Sequence, residues 1–242
     1  MNRTDYTESQ WQDLSLSIHT DMPVYPGDPA TLLHSFATFA SGPYQASQLN
    51  ISCHAGTHMD APRHFLEDGI SVEAIDLNRL VTEAWVTDAR PDAAGLISLD
   101  RLDLSGYRTG DALILATGWE ARAGQPRYYE NIPVFNTGSA EWLENRGVKL
   151  LGLDLPTVAE FKSKNKVDDK TKTGVQREHP ELSMPADQEG MHKALLGGGV
   201  IILESLVNLE SLRGKRVQLI ALPLKITGAE GSPVRACARI IN

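Results

Sequence analysis

The 242 residues are 41% hydrophobic and 22% charged, which excludes wholesale disorder and leaves enough chain for one large domain or two small ones with a sizeable core. Twenty-three Lys and Arg against 31 Asp and Glu give a net charge of −8, which argues against a nucleic-acid binder, because such proteins need a basic face. No apolar run approaches the roughly 18–20 residues that cross a bilayer, and the opening MNRTDYTESQWQ lacks a signal-peptide layout. With only Cys53 and Cys237 available for disulfides, a soluble cytoplasmic protein with reduced thiols is expected.

Short β-branched or apolar segments recur at Leu14–Ile18, Ser47–Cys53, Ala84–Asp88, Ala112–Ala116, Lys149–Leu153, Val200–Leu203, Arg216–Ala221 and Val234–Ile240. Several end at Gly, Asp or Pro, as strands do. Helices are expected at Ser139–Arg146, with a Ser cap and a Gly147 stop, and at Gln188–Leu196, which runs into Gly197-Gly198-Gly199. Strand and helix interleave, so the class is α/β or mixed α+β. Lys162–Glu178 holds six basic and three acidic residues and no aromatic, and it reads as an exposed loop. Its net +3 suits an anionic substrate or an acidic neighbour, although a solvated insertion without function is the plainer reading.

The chemistry concentrates in Ser52–Phe65, S-C-H-A-G-T-H-M-D-A-P-R-H-F. His54, His58, Asp60 and His64 lie at offsets 0, 4, 6 and 10, so three of seven histidines and a carboxylate fall within 11 residues. A helix would turn Asp60 roughly 240° away from His54, and Gly56 and Pro62 oppose a helix here. An extended strand would put all four on one face but spread them over roughly 33 Å. A strand over Ser47–Cys53 that opens into a compact loop remains. Imidazoles with a carboxylate are a ligand set for Zn²⁺, Mn²⁺ or Fe²⁺. A His-rich loop without metal is the alternative. Downstream, His192 sits in a helix and Glu204 closes the apolar run GVIILE. That carboxylate either emerges into solvent or is paired or bound to a cation. Cys53 should point away from His54 into packing. Asn50-Ile51-Ser52 has the form of a glycosylation sequon, but it lies in an expected buried strand. His19, His34 and His179 have no ligand-like neighbours, and Arg235 suits either a substrate carboxylate or an internal acid.

His54 to Phe65 resembles the signature H-x-G-T-H-x-D-x-P-x-H-F of the cyclase family of metal-dependent hydrolases, which includes kynurenine formamidase and isatin hydrolase. Asp13-Leu14-Ser15, Tyr25-Pro26-Gly27-Asp28, His192-Lys193-Ala194-Leu195-Leu196, Ile202-Leu203-Glu204 and Gly231-Ser232-Pro233-Val234-Arg235 resemble its other motifs in order. The resemblance implies a single α/β domain over 1–242 with a barrel-like core of the swivelling β/β/α type and an exposed insertion at about 161–190. It implies that His54, His58 and Asp60 bind one divalent metal, Zn²⁺ or Mn²⁺. Asp60 and Glu204 would bridge to a second ion, which His192 also holds. His64 would be the general acid/base, and Tyr25 would face the substrate ring where the formamidases place Trp. A homodimer or higher homo-oligomer is also implied. The activity implied is hydrolysis of the C–N bond of a small linear or cyclic amide, in tryptophan catabolism for an arylformamidase. The alternatives are an isatin hydrolase-like lactam or lactone hydrolase and a non-catalytic metal- or small-molecule-binding protein.

Overall fold

The computed structural model describes residues 10–160 and 187–241, so the basic stretch 162–178, most of the expected insertion and His179 lie outside the described residues. The strands are β1 (Gln12–Asp13), β2 (Leu32–Ala37), β3 (Ala46–Asn50), β4 (His58–Asp60), β5 (Val81–Asp88), β6 (Leu96–Ile97), β7 (Ala112–Ala116), β8 (Val134–Phe135), β9 (Leu150–Leu153), β10 (Ile201–Glu204), β11 (Lys215–Pro223) and β12 (Gly231–Ile240). The helices are α1 (Ser139–Asn145) and α2 (Gln188–Gly197). Strand order β12-β11-β5-β7-β9-β10-β4 closes because β4 also pairs with β12, giving the barrel-like α/β core that was expected. Strands β5, β7, β9 and β10 run parallel, while β4, β11 and β12 join antiparallel.

Period-2 alternation divides the parallel strands β5, β7, β9 and β10 between two cores. Met59, Ala84, Val86, Ala112, Ile114, Ala116, Ile201, Leu203, Val217, Leu219 and Ala236 belong to one cluster, drawn from the strands around the ring and therefore inside it. The frequent Ala lets a small barrel fill without voids. Trp85, Leu113, Leu115, Leu151, Leu153 and Ile202 point outward into a second cluster with Leu143 of α1 and Met191, Leu195 and Leu196 of α2. On β10, residues that follow this outward phase face α2.

Four sequence expectations are corrected. Leu14–Ile18 is not a strand, because its backbone bonds go to mixed partners: Leu14 N–H donates to Ala236 O, and Leu16 N–H to the Thr57 hydroxyl. Ser47–Cys53 is not a buried strand either. β3 stops at Asn50 and pairs only with β2, in a two-stranded hairpin whose residues are mostly exposed. The motif is not all loop, since β4 is paired on both edges, and a 3-10 turn follows at Pro62–His64. Ser139 does not cap α1: Gly138, at φ 89°, holds the cap position, and the Ser139 hydroxyl donates to Asn136 O. The helix expected at Gln188–Leu196 is present and runs one residue further, to Gly197, capped by Asp187, whose side chain accepts from Gly190 N–H.

Candidate metal centre

The site grows out of β4. His58 and Asp60 are two residues apart and share the outward face, while Met59 between them is buried in the barrel. The antiparallel register sets Glu204 directly opposite His58 and Ile202 opposite Asp60, so Glu204 follows Ile202 outward. Glu204 therefore does not emerge into solvent. It is 2% exposed, and its Oε1 accepts Val158 N–H at 3.0 Å. Helix α2 lies over β10 and lowers His192 onto the two carboxylates. The turn at Gly56, φ 66°, and the 3-10 turn after β4 fold His54 and His64 back toward them.

The distances are those of one cluster. His54 Nδ1 lies 2.9 Å from Asp60 Oδ1, and His58 Nε2 is 3.5 Å from the same atom and 3.4 Å from Glu204 Oε2. His192 Nε2 lies 3.6 Å from both Asp60 Oδ2 and Glu204 Oε1. The far nitrogens are held from behind: His58 Nδ1 by Gly56 O at 2.9 Å and His192 Nδ1 by Gln188 O at 2.7 Å. These bonds turn both Nε2 atoms toward the carboxylates. His64 stacks on His54 at 4.0 Å between ring centroids, and Phe65 stacks on His192 at 4.6 Å.

Charges are displaced accordingly. Burial opposes a charge on His58, but the Glu204 hydrogen bond and the Asp60 field outweigh it and raise its pKa to about 9. Burial likewise opposes a charge on His192, and its bonds to Asp60 and Glu204 raise the pKa to about 10. Burial should raise Asp60, yet the bonds from His192 and His54 hold it well below the usual carboxylate range. His64 is lowered to about 4, mainly by burial, with the His54 and His192 charges adding to it. Burial also raises the Cys53 thiol, which packs against the barrel core and is no nucleophile.

The donor set fits a divalent cation. Asp60 Oδ2 is buried, and among the described residues its nearest charged neighbour is His192 Nε2 at 3.6 Å, beyond hydrogen-bond distance, so a cation between them would satisfy this oxygen. Two groups bring ligand atoms within 4.8 Å of one another, His58–Asp60–Glu204 and His54–Asp60–His64. Both share Asp60. The second group includes His64, which the sequence reading set apart from the ligands.

The cluster floors a cavity of about 230 Å³, walled by Tyr25, Asp28, Phe65, Tyr129, Pro156, Thr157 and Gln188. Tyr25 lies in that wall, its hydroxyl donating to Gln188 Oε1 at 3.0 Å and its ring edge-on to Tyr129 at 5.8 Å. Tyr129 and Thr157 gave no sequence signal; Asp28 and Phe65 stood inside recognised motifs without an assigned role. Arg235 takes no part, since its guanidinium makes two 2.9 Å bonds to Asp13 on the exposed side of β12.

The profile of the family described as "Putative cyclase" matches residues 12–160. A kynurenine formamidase of Geobacillus thermodenitrificans is 34% identical over 232 residues, 95% of this chain and 97% of that one. The chain belongs to the cyclase family. Among solved family-like structures, one described as "Potential Metal-Dependent Hydrolase With Cyclase Activity" superposes with TM-score 0.69 at 25% identity, covering 96% of this chain and 98% of that one. An isatin hydrolase bound to the product analogue thioisatinate gives TM-score 0.73 at 23% identity, over 97% of this chain and 93% of that one, a likeness of fold.

Proposed function

We propose that this chain is a metal-dependent hydrolase that cleaves the C–N bond of a small amide, with an aryl formamide such as N-formylkynurenine as the first substrate to try. The observation that carries the reading is the buried Asp60 at the focus of three imidazoles and facing a cavity walled by aromatic rings. The kynurenine formamidase relative, matched over nearly its whole length, supports the substrate class. In this reading His54, His58 and Asp60 hold one ion, and Asp60, His192 and Glu204 hold a second, either Zn²⁺ or Mn²⁺. A divalent ion supplies two things when bound: a water acidic enough to ionise near neutral pH and a polarised carbonyl.

The chain's residues supply the rest. His64 is neutral at pH 7, so its free nitrogen accepts a proton from the attacking water. The same imidazole returns the proton to the departing amine. Tyr25, Tyr129 and Phe65 present ring faces and edges that orient an aromatic substrate. Gly56 O and Gln188 O engage Nδ1 of His58 and His192, so Nε2 is the nitrogen that faces the carboxylates and becomes a ligand once it gives up its proton.

Metal analysis of the purified protein, with alanine changes at His58, Asp60 and Glu204, tests this. Loss of metal and of hydrolysis together supports the reading; a metal-free protein whose hydrolysis survives all three changes sinks it. Assays of N-formylkynurenine beside isatin and simple lactones then separate the formamidase from the lactam and lactone readings. Metal binding without turnover of any of them would identify a binding protein on this fold.

The partner in the reading is a second copy of the chain. The β2–β3 hairpin exposes Leu32, Leu33, Phe36 and Leu49, with Phe39 and Tyr44 in the connection between its strands. A two-stranded hairpin is marginal alone in water, and an apolar patch of this kind suits a protein interface. Sedimentation velocity tests it, with a monomer at micromolar concentration as the contrary result. A cytoplasmic location fits the two unpaired cysteines.

A further inference from the structure

We propose that Glu230 is the positioning residue of His54, holding the ring so that Nδ1 rather than Nε2 faces Asp60. The inference rests on the metal-dependent reading above and extends it to a residue outside the ligand set.

The three ring orientations carry the argument. His58 and His192 are each held through Nδ1 by a backbone carbonyl and present Nε2 to the carboxylates. His54 is reversed: its Nδ1 lies 2.9 Å from Asp60 Oδ1, and among the described residues no carbonyl backs Nε2. That Nε2 is buried and, among the described residues, lacks an aligned hydrogen bond, yet Glu230 Oε1 stands 3.3 Å away. Among the described residues, Glu230 is the carboxylate within ion-pair distance of this nitrogen. A modest rotation of either group completes the bond, with the Nε2 proton donated to Glu230.

The backbone has no freedom to carry Glu230 away. Ala61 N–H donates to Glu230 O at 2.8 Å, and the next residue, Gly231, is in register with Asp60. Gly231 also makes room for the ring: a Cβ there would lie 2.7 Å from His54 Cε1 and 2.9 Å from Met59 O. Glu230 and Gly231 thus form a cradle, one supplying an acceptor and the other a space. Outer partners of metal-bound imidazoles fix tautomer and orientation, and losing one typically costs about 10–100-fold in metal affinity. Glu230 is partly exposed, which places it at the lower end, about tenfold.

The test is titration of Zn²⁺ and of Co²⁺ into the metal-free full chain carrying Glu230→Gln or Glu230→Ala, beside wild type. Glu230→Ala should weaken one binding step about tenfold and shift the visible Co²⁺ absorption, with the melting temperature of the metal-free protein unchanged. Glu230→Gln keeps an acceptor oxygen and should lose less. Wild-type affinity and an unaltered Co²⁺ spectrum in Glu230→Ala would overturn this inference alone. A general loss of both binding and melting temperature would also overturn it, since that is structural damage. A wild-type chain that binds neither ion would overturn the metal-dependent reading itself.

Discussion

Loading both positions of the site with divalent ions should expel about two protons per chain at pH 7. The count follows from the imidazole environments. His58 and His192, with pKa values raised to about 9 and about 10, are both cationic at pH 7 before loading. A ligating imidazole must be neutral, and each Nδ1 is already engaged with a carbonyl, so the proton that leaves is the one on Nε2 between the carboxylates. His64, lowered to about 4, contributes none. The overall association constant for the two ions should therefore rise about 100-fold per pH unit near neutrality, about tenfold per unit between pH 9 and 10, and flatten above about pH 10. Calorimetric titration with Zn²⁺ or Mn²⁺ at one pH, in buffers of different ionisation enthalpy, reads the proton count directly. A count near zero at pH 7 would refute the reasoning. The same groups set the stability of the metal-free chain. The two histidines have folded values raised above the ordinary 6.5, so their stabilisation is full below 6.5 and is lost as pH rises toward 9–10. Asp60 is held below its ordinary 3.8, so its stabilisation is present above that value and is lost in more acidic solution. A melting-temperature series should peak between these two values, and a peak above pH 8 would contradict the assignment.

Asp60→Asn should bind metal poorly and lose about 10³-fold in kcat/KM, measured beside the metal content, because Asp60 is the carboxylate common to both donor groups. His64→Ala should retain metal while kcat falls about 10²–10⁴-fold, which single-turnover kinetics would show; unchanged turnover would remove His64 from proton transfer. Gly231→Ala should force His54 from its place, cost about 1–3 kcal/mol by overpacking, and weaken metal binding in an equilibrium dialysis measurement. Phe36→Asp, at a side chain 63% exposed, should leave the melting temperature nearly unchanged but shift sedimentation toward the monomer.

The parallel core strands were legible because short apolar runs bounded by turn residues have few other solutions. Ala112–Ala116 is the extreme case, every residue buried. Ser47–Asn50 shows the limit of the same reasoning: alternation there signals a strand, but whether its faces are buried depends on which strand lies beside it. His58–Asp60 shows another. Three residues carry no periodicity, and β4 exists because β10 and β12 present free edges on either side of it. Arg235 was open between substrate and internal acid until β1 paired with β12 and brought Asp13 within reach.

The sequence alone determined the chemistry available to this protein: imidazoles and carboxylates at close spacing, too few thiols for a thiolate site, and an order of motifs that names the family. Residue type carries that information directly, because ligand preference and ionisation are properties of side chains. Tertiary structure decided what those groups do together. Barrel closure sets Glu204 opposite His58, α2 lowers His192 onto both carboxylates, and backbone carbonyls choose which nitrogen of each ring faces inward. Convergence of distant residues depends on strand register and helix placement. No local pattern records either, so neither the pKa displacements nor the place of Glu230 behind His54 could be read before the fold was known.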